Sequence, residues 1–481
     1  MSAAVGERVE FEPVIGLEIH VQLATRTKMF CSCPLSFGEE PNTRTCPVCL
    51  GLPGALPVPN SEAVHFALMI ALAFGCEIAP RALFHRKNYF YPDLPKGYQI
   101  SQYDEPLGRN GRLGDVRIHR VHLEEDAAKL VHASSSGRIH GAEASIVDFN
   151  RGGTPLVEIV TEPDLRSPEQ AAEFGRLLQA TLRRLGVSDV NMEEGSLRID
   201  ANVSVRLAGS SELGTKTELK NMNSFRFLER GLAAEIERQR ALLDAGEAVV
   251  QETLHFDPRS GALSPLRSKE EAHDYRYFPE PDLVPLVPTE EMIARARQAL
   301  PELPAERAER FQRELGLAAD AARLLAFRFE LGDFFELALA AGDGVDARAL
   351  ANWTVNELAA RVGDSDPAAS PLTAEAFAQL VSLVQQRRIS AAAGKDVLDR
   401  LVAAGGNPHA IVEELGLEMA ASDELDTIVE EAIRENADAV AKIRAGKVQA
   451  VGAIVGAVMR ATRGRADGAE VQRLVREKLG L

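Results

Sequence analysis

Four cysteines stand in one short stretch with the spacing C-x-C-x12-C-x2-C: Cys31, Cys33, Cys46 and Cys49. Two close pairs joined by a loop of twelve residues can fold back and place four thiolates around one tetrahedral ion. A closed four-thiolate shell leaves no open coordination position, so the pattern predicts a structural zinc rather than a catalytic one. Directly before it, Ile15, Leu17, Ile19 and Val21 alternate with Gly16, Glu18, His20 and Gln22. A period of two predicts a strand, with Glu18 and His20 on one face about 7 Å apart. Carboxylate oxygens with one imidazole suit Mg²⁺ or Mn²⁺, and such ions commonly serve the phosphates of a nucleotide.

Other stretches of the first half share this habit. In residues 197–207 the aliphatic set is Leu197, Ile199, Ala201, Val203, Val205 and Leu207, and Arg198, Asp200, Asn202, Ser204 and Arg206 face the other way. In residues 215–220, Lys216, Glu218 and Lys220 share a face, and in 156–162 so do Glu158 and Glu162. In the run His122-Leu-Glu-Glu-Asp126, alternation sets His122, Glu124 and Asp126 opposite Val121 and Leu123, and turns Glu125 toward the apolar side unless a bulge re-aims it. Strict alternation of this kind belongs to antiparallel sheets with one open face. One such strand is adequately explained as a solvated face. Several of them, with His and Glu on neighbouring positions, call for a cation, because clustered carboxylates repel one another.

No Walker A loop, no GxGxxG after a strand and no GxSxG elbow is present; AAAGKD around Lys395 lacks the phosphate-loop spacing. A bound nucleotide would have to be held by the open sheet and its metal ions.

The elements that must position these residues occupy roughly the first 290 residues, which read as strands and Gly/Asn turns with few helices. One helix is expected over residues 61–74 with Ser61 as its N-cap, one after Ser167-Pro168, and one over residues 227–243. Eight of ten histidines and all five cysteines precede residue 256, which places the chemistry there. The fifth, Cys76, ends the apolar run HFALMIALAFGC and is expected to be a buried small hydrophobe. A proline-rich connector over residues 277–304 leads to an Ala/Leu/Glu/Arg-rich helical part, and AGGNPHA marks a second break. The expected domains are therefore 1–292, 293–405 and 406–481. The chain carries 481 residues and a formal charge of −17, so a nucleic-acid partner would need a local basic patch. Residues 440–481 supply one, with nine Lys or Arg against three Asp or Glu. No window holds the ~18 uninterrupted apolar residues of a membrane helix, and no signal peptide is read at the start. Five cysteines, an odd number with four of them clustered, fit a reducing cytoplasm.

The blocks VIGLEIHVQL, RKNYFYPDLPKGYQISQ, HLEEDAAK, DFNRGGTPLVEIVTEPD, MEEGSLRIDANVS, GTKTELKNMNSF and DYRYFPEPDL, with GKVQAVGAIVGAVMRATRG near the end, closely resemble the B subunit of the glutamine-dependent aspartyl/glutamyl-tRNA amidotransferase, GatCAB. The resemblance covers essentially the whole chain. It implies an α+β protein: a mainly antiparallel, glutamine-synthetase-like cradle, an all-α helical domain and a YqeY-like helical tail. It implies ATP-dependent activation of Asp-tRNA(Asn) or Glu-tRNA(Gln), followed by attack of ammonia supplied by an A subunit (a glutaminase), with a C subunit completing a heterotrimer.

Residue by residue, the resemblance carries the Mg²⁺ and ATP site to Glu18, His20, the Glu124–Glu125 pair and Glu158, and the zinc site to the four cysteines. For the pair it points to Glu125, whereas strand phase points to Glu124; Glu125 is preferred as ligand and Glu124 kept beside the nucleotide. Lys87, Arg198, Lys216 and Lys220 are candidate cations for the phosphates. Lys442, Arg444, Lys447, Arg460, Arg463 and Arg465 are candidate contacts to tRNA phosphates. Two rivals are a non-catalytic zinc-stabilised RNA-binding scaffold and the related archaeal GatE, whose inserted domain this chain has no room for.

Overall fold

The computed structural model describes residues 10–36, 38–132, 143–220, 222–267, 275–420, 422–445, 447–462 and 465–480. Two compact units divide the chain, Met1–Leu303 and Pro304–Leu481. The class is α+β, as expected.

In the first unit the strands are β1 (Phe11–Gln22), β2 (Glu77–Ile78), β3 (His85–Asn88), β4 (Tyr98–Ser101), β5 (Gly108–Leu113), β6 (Val116–Glu125), β7 (Lys129–His132), β8 (Ser145–Asp148), β9 (Pro155–Thr161), β10 (Leu197–Leu207), β11 (Thr217–Lys220), β12 (Thr253–Phe256), β13 (Leu263–Arg267) and β14 (Phe278–Pro279). The helices are α1 (Ser61–Ala73), α2 (Pro168–Leu185), α3 (Phe225–Asp244) and α4 (Glu290–Gln298). Nine strands form one sheet in the order β13-β12-β11-β10-β1-β9-β6-β5-β2. Every pairing in it is antiparallel except β11 with β12.

The alternation seen in the sequence becomes a division of labour between the two faces. Ile15, Leu17, Ile19, Val21, Val121, Leu123, Val157, Ile159 and Leu197, Ile199, Ala201, Val203 and Val205 of β10 are buried together with Val64 and Leu68 of α1, Leu178 and Leu182 of α2, and Leu228 and Leu232 of α3, while Leu207 at the end of β10 is exposed. Fully burying one such side chain contributes about 1.5–3 kcal/mol, so a one-residue slip of a central strand would be prohibitive. Gly175 of α2 is required by this packing: a Cβ there would lie 2.7 Å from the Phe225 ring at the start of α3.

The caps follow local chemistry with one difference from expectation. Ser167 caps α2 and Pro168 takes its first position, while Gly186 closes it in the left-handed conformation at φ 69°. α1, however, is capped by Asn60, whose side chain accepts from the amides of Glu62 and Ala63, so Ser61 lies one residue inside. Asn60 wins because its amide also donates to Thr27 Oγ1 (2.9 Å) and tethers the helix to the loop after β1. α3 starts two residues earlier than expected, at the Ser224 cap. β11 begins at Thr217, leaving Lys216 just outside, and β9 ends at Thr161, leaving Glu162 to pair with His119 at 2.8 Å.

The described residues of the second unit contain helices and no strands. They hold two apolar clusters, one built on Phe311, Phe335, Phe377 and Leu398 and ending with Ile411 and Val412, the other running from Leu425 to Val475. α4 straddles the boundary expected at 292/293 and adds Ala296 to the first unit's core. The helix Pro408–Leu415, beyond the break expected at 405/406, packs with the earlier cluster.

Candidate active site and metal centre

The register of the central strands builds the site. His20 of β1 lies opposite Arg198 of β10 on one side and opposite Glu158 of β9 on the other, and Glu158 in turn lies opposite His122 of β6. One row thus crosses four neighbouring strands on the face away from the helices. Glu18, two residues before His20, and Glu124, two after His122, stand on the same face. His20 Nε2 is 3.5 Å from Glu158 Oε2, 3.7 Å from Glu124 Oε1 and 3.7 Å from Glu18 Oε1. Glu124 and Glu158 are buried, whereas Glu18 and His20 are partly open to solvent.

Packing this charge together perturbs it. Burial works against a charged His20, but the hydrogen bond to Glu158 and the charges of Glu124, Glu158 and Glu18 outweigh it and raise its pKa to about 9. Burial and the neighbouring Glu158 raise Glu18. Burial also opposes the charge on Glu158, yet His122, His20 and Arg120 hold its carboxyl well below the usual range. One oxygen or nitrogen from each of Glu18, His20 and Glu158 falls within 4.8 Å of the others, as do single atoms of His122, Glu124 and Glu158. Anionic oxygens and one imidazole at this spacing, open on the Glu18 side, fit a hard divalent cation.

The remaining expected residues fall around this centre unequally. Lys87 lies on β3, with its ammonium 4.9 Å from the centre of the Tyr275 ring; burial opposes its charge, and Glu124, Tyr277 and Glu158 raise its pKa. Arg198 pairs with Asp126 at 3.0 Å. Lys220 bridges Asp200 (3.3 Å) and Glu218 (3.0 Å). Lys216 is exposed and shares with Glu18, Asn202, Glu218 and Gln251 the lining of a small pocket of about 120 Å³.

Glu125, the preferred member of the pair, stands apart from this cluster. β6 shifts register between Ile118 and Arg120 but has no irregularity at its end, so alternation carries Glu125 away from the cluster and leaves Glu124 in it. Glu125 is buried against Lys96, which donates to its carboxylate, as does the Ile100 amide at 3.0 Å. The residue missed by sequence reasoning is Arg120, which donates to Glu158 Oε1 at 2.9 Å and to His122 Nδ1 at 3.3 Å. Alternation sets Arg120 on the face of His122 and Glu124, but only the pairing of β6 with β9 brings it to Glu158.

The four cysteines also converge. Their sulfurs lie within 4.8 Å of one another, with Cys46 Sγ and Cys49 Sγ 3.9 Å apart. A tetrahedral ion with sulfur at about 2.3 Å places its ligands near that separation, so the cluster can hold a metal. A hydrogen bond from Cys31, helped by the Cys46 amide and the Lys28 ammonium, lowers the Cys49 thiol to about 4, which readies one thiolate. The loop is docked by its backbone: Met29 N donates to Gly153 O at 2.7 Å, and Gly153 adopts φ 86° in the RGGT turn, a conformation that favours glycine. Cys76 is buried, as expected, against Gly108 and Gly111 of β5.

In the tail, Lys442, Arg444, Lys447 and Arg460 are exposed, while Arg465 pairs with Glu424 at 3.1 Å. Arg463 lies outside the described residues. Among the described residues, no helix is long and apolar enough to cross a membrane.

Residues 13–294 match the family described as the GatB/GatE catalytic domain, and residues 333–479 match the GatB domain. Proteins named as the B subunit of aspartyl/glutamyl-tRNA(Asn/Gln) amidotransferase in Frankia casuarinae, Geobacter sulfurreducens and Persephonella marina are 50%, 48% and 46% identical to the chain. Each match covers 98% of this chain, and 96%, 100% and 100% of the respective relative.

Proposed function

Because the chain belongs to the family of aspartyl/glutamyl-tRNA(Asn/Gln) amidotransferase B subunits, we propose that its open sheet face is where the acidic side chain of a mischarged tRNA is activated by ATP. The activity itself is that of a ligase-type amidotransferase subunit acting in tRNA-dependent transamidation. The observation that carries the site assignment is the β1-β9-β6 register, which gathers Glu18, His20, Glu158 and Glu124 on one face.

In this reading the γ-phosphoryl group of ATP passes to a side-chain carboxylate oxygen of Asp-tRNA(Asn) or Glu-tRNA(Gln), releasing ADP. Ammonia then attacks the acyl carbon, and inorganic phosphate leaves to give the amide. A carboxylate is a poor electrophile, and phosphorylation supplies the leaving group. Magnesium, when bound, neutralises phosphate charge. Glu18, His20 and Glu158 would hold it with Glu124 beside them, and Lys87 supplies a cation whose charge the surrounding carboxylates sustain. Arg198, Lys216 and Lys220 line the approach. Zinc in the four-cysteine cluster fixes the loop after β1.

The subunit works in a cytoplasmic heterotrimer with an A subunit that releases ammonia from glutamine and a C subunit. The three-part division into a cradle (1–292), a helical part (293–405) and a YqeY-like tail (406–481) belongs to the same reading; the apolar clusters support breaks near 303 and 420. The exposed tail cations, with Arg463 and Arg465, bind tRNA phosphates. A non-catalytic zinc-stabilised RNA-binding scaffold would leave the buried carboxylate–imidazole cluster without a purpose. Mg²⁺-dependent ATP binding by the full chain, lost on His20→Ala, tests the site; ATP binding indifferent to that change would refute it.

A further inference from the structure

Two overlapping sets of ligand atoms share Glu158: Glu18/His20/Glu158 and His122/Glu124/Glu158. Spacing alone permits an ion at either. Arg120 breaks the symmetry. Its Nη2 donates to Glu158 Oε1 at 2.9 Å, and its Nε donates to His122 Nδ1 at 3.3 Å. A guanidinium offers only donors, so His122 Nδ1 is taken up as the acceptor of that bond. His122 Nε2 is 3.8 Å from Glu124 Oε2 and 3.7 Å from Glu158 Oε2, so the ring held by Arg120 packs against both carboxylates.

The same Glu158 Oε2 lies 3.5 Å from His20 Nε2, on the side where Glu18 is partly open to solvent. With Oε1 taken by Arg120, Oε2 is the oxygen left for an ion. Outer partners of this kind orient ligating groups and typically change metal affinity or activity by ~10–100-fold when removed.

We infer that Arg120 and His122 are positioning residues that present Glu158 through Oε2 to a single ion on the His20 side, and that His122 is not itself a ligand. The inference rests on the cluster being an ion site.

The test uses Mn²⁺ as the probe on the full chain, with affinity and nitrogen hyperfine coupling read by electron paramagnetic resonance, and zinc content as the check that the fold is intact. Arg120→Gln should weaken Mn²⁺ binding by ~10–100-fold, and Arg120→Lys, which keeps a cation for Glu158, should recover part of it. His122→Gln, whose amide keeps one acceptor and one donor, should retain the imidazole coupling, whereas His20→Ala should abolish it. Loss of the coupling in His122→Gln, or wild-type Mn²⁺ affinity in Arg120→Gln, would overturn the inference and leave the ion site standing. Mn²⁺ binding unchanged in His20→Ala would overturn the ion site itself, and the inference with it.

Discussion

His20 and Glu158 face each other directly across β1 and β9, with His20 Nε2 3.5 Å from Glu158 Oε2. The two come from points 138 residues apart in sequence, and only the pairing register makes them neighbours.

Glu124 and Glu125 should separate cleanly by experiment. Glu124 shares the His20 face, so Glu124→Gln is expected to weaken divalent-ion binding by ~10–100-fold, the range found when metal-site partners are lost. Glu125→Gln instead strands the buried Lys96 ammonium, and breaking a buried pair costs about 3–5 kcal/mol. Ion titration and thermal unfolding of both variants check this. Equal loss of ion affinity in the two would contradict the placement of Glu125.

The cysteine cluster should reveal itself through thiol accessibility. In the metal-loaded protein all five cysteines should resist a thiol reagent. A strong chelator should release one zinc per chain and expose the four clustered thiols. Cys76 should stay unreactive until the fold is opened, since burial pushes its thiol up to about 12 and the thiolate is the reactive form. Cys46→Ser with Cys49→Ser should lose the zinc and loosen residues 31–49 while leaving the sheet intact. Purified protein without zinc would contradict the assignment.

The cap of α1 discriminates between local and tertiary accounts of that helix. Asn60→Ala should lower the opening free energy at the α1 N-terminus by about 0.5–2 kcal/mol, read by amide hydrogen exchange, whereas Ser61→Ala should change it little. A larger effect at Ser61 would show that the cap lies where the sequence pattern alone puts it.

Much of this molecule was legible before its structure. Period-two alternation marked β10 to the residue and set Glu18, His20 and Glu158 on polar faces, because burial on one side only leaves that imprint. Which strand neighbours which was not legible: β9 sits between β1 and β6, a choice made by long-range pairing that no local pattern records. Arg120 escaped notice for that reason, since an arginine on a solvated face and one reaching across to Glu158 look alike in sequence. Asn60 outcompeted Ser61 through a bond to Thr27, again a partner from elsewhere in the chain. The break at Gly405 was visible, but not that Ile411 and Val412 beyond it return to the preceding core.

That last point shapes the test of the tail. Removing residues 406–481 would strip Ile411 and Val412 from the preceding core, so the cut belongs after 420. Loss of 421–481, or reversal of Lys442, Arg444, Lys447 and Arg460 to Glu, should weaken tRNA binding and flatten its salt dependence, because each lost phosphate contact removes released counterions. Filter binding across a salt series reads both, and glutamine hydrolysis by the A subunit should continue. Unchanged affinity and slope would place the tRNA elsewhere.

The most direct measurement is formation of the phosphorylated aminoacyl intermediate by the assembled complex, given Glu-tRNA(Gln), ATP, Mg²⁺ and free ammonium, with His20→Ala and Glu158→Gln beside the wild type. Free ammonium bypasses the glutaminase, so only the activating step is scored. Both variants should assemble and keep their zinc, yet lose intermediate formation and amidation by at least ~10²–10³-fold, the typical loss when a preorganised electrostatic partner is removed. Amidation of Glu-tRNA at near the wild-type rate by either variant would show that this cluster serves the fold and that activation happens elsewhere.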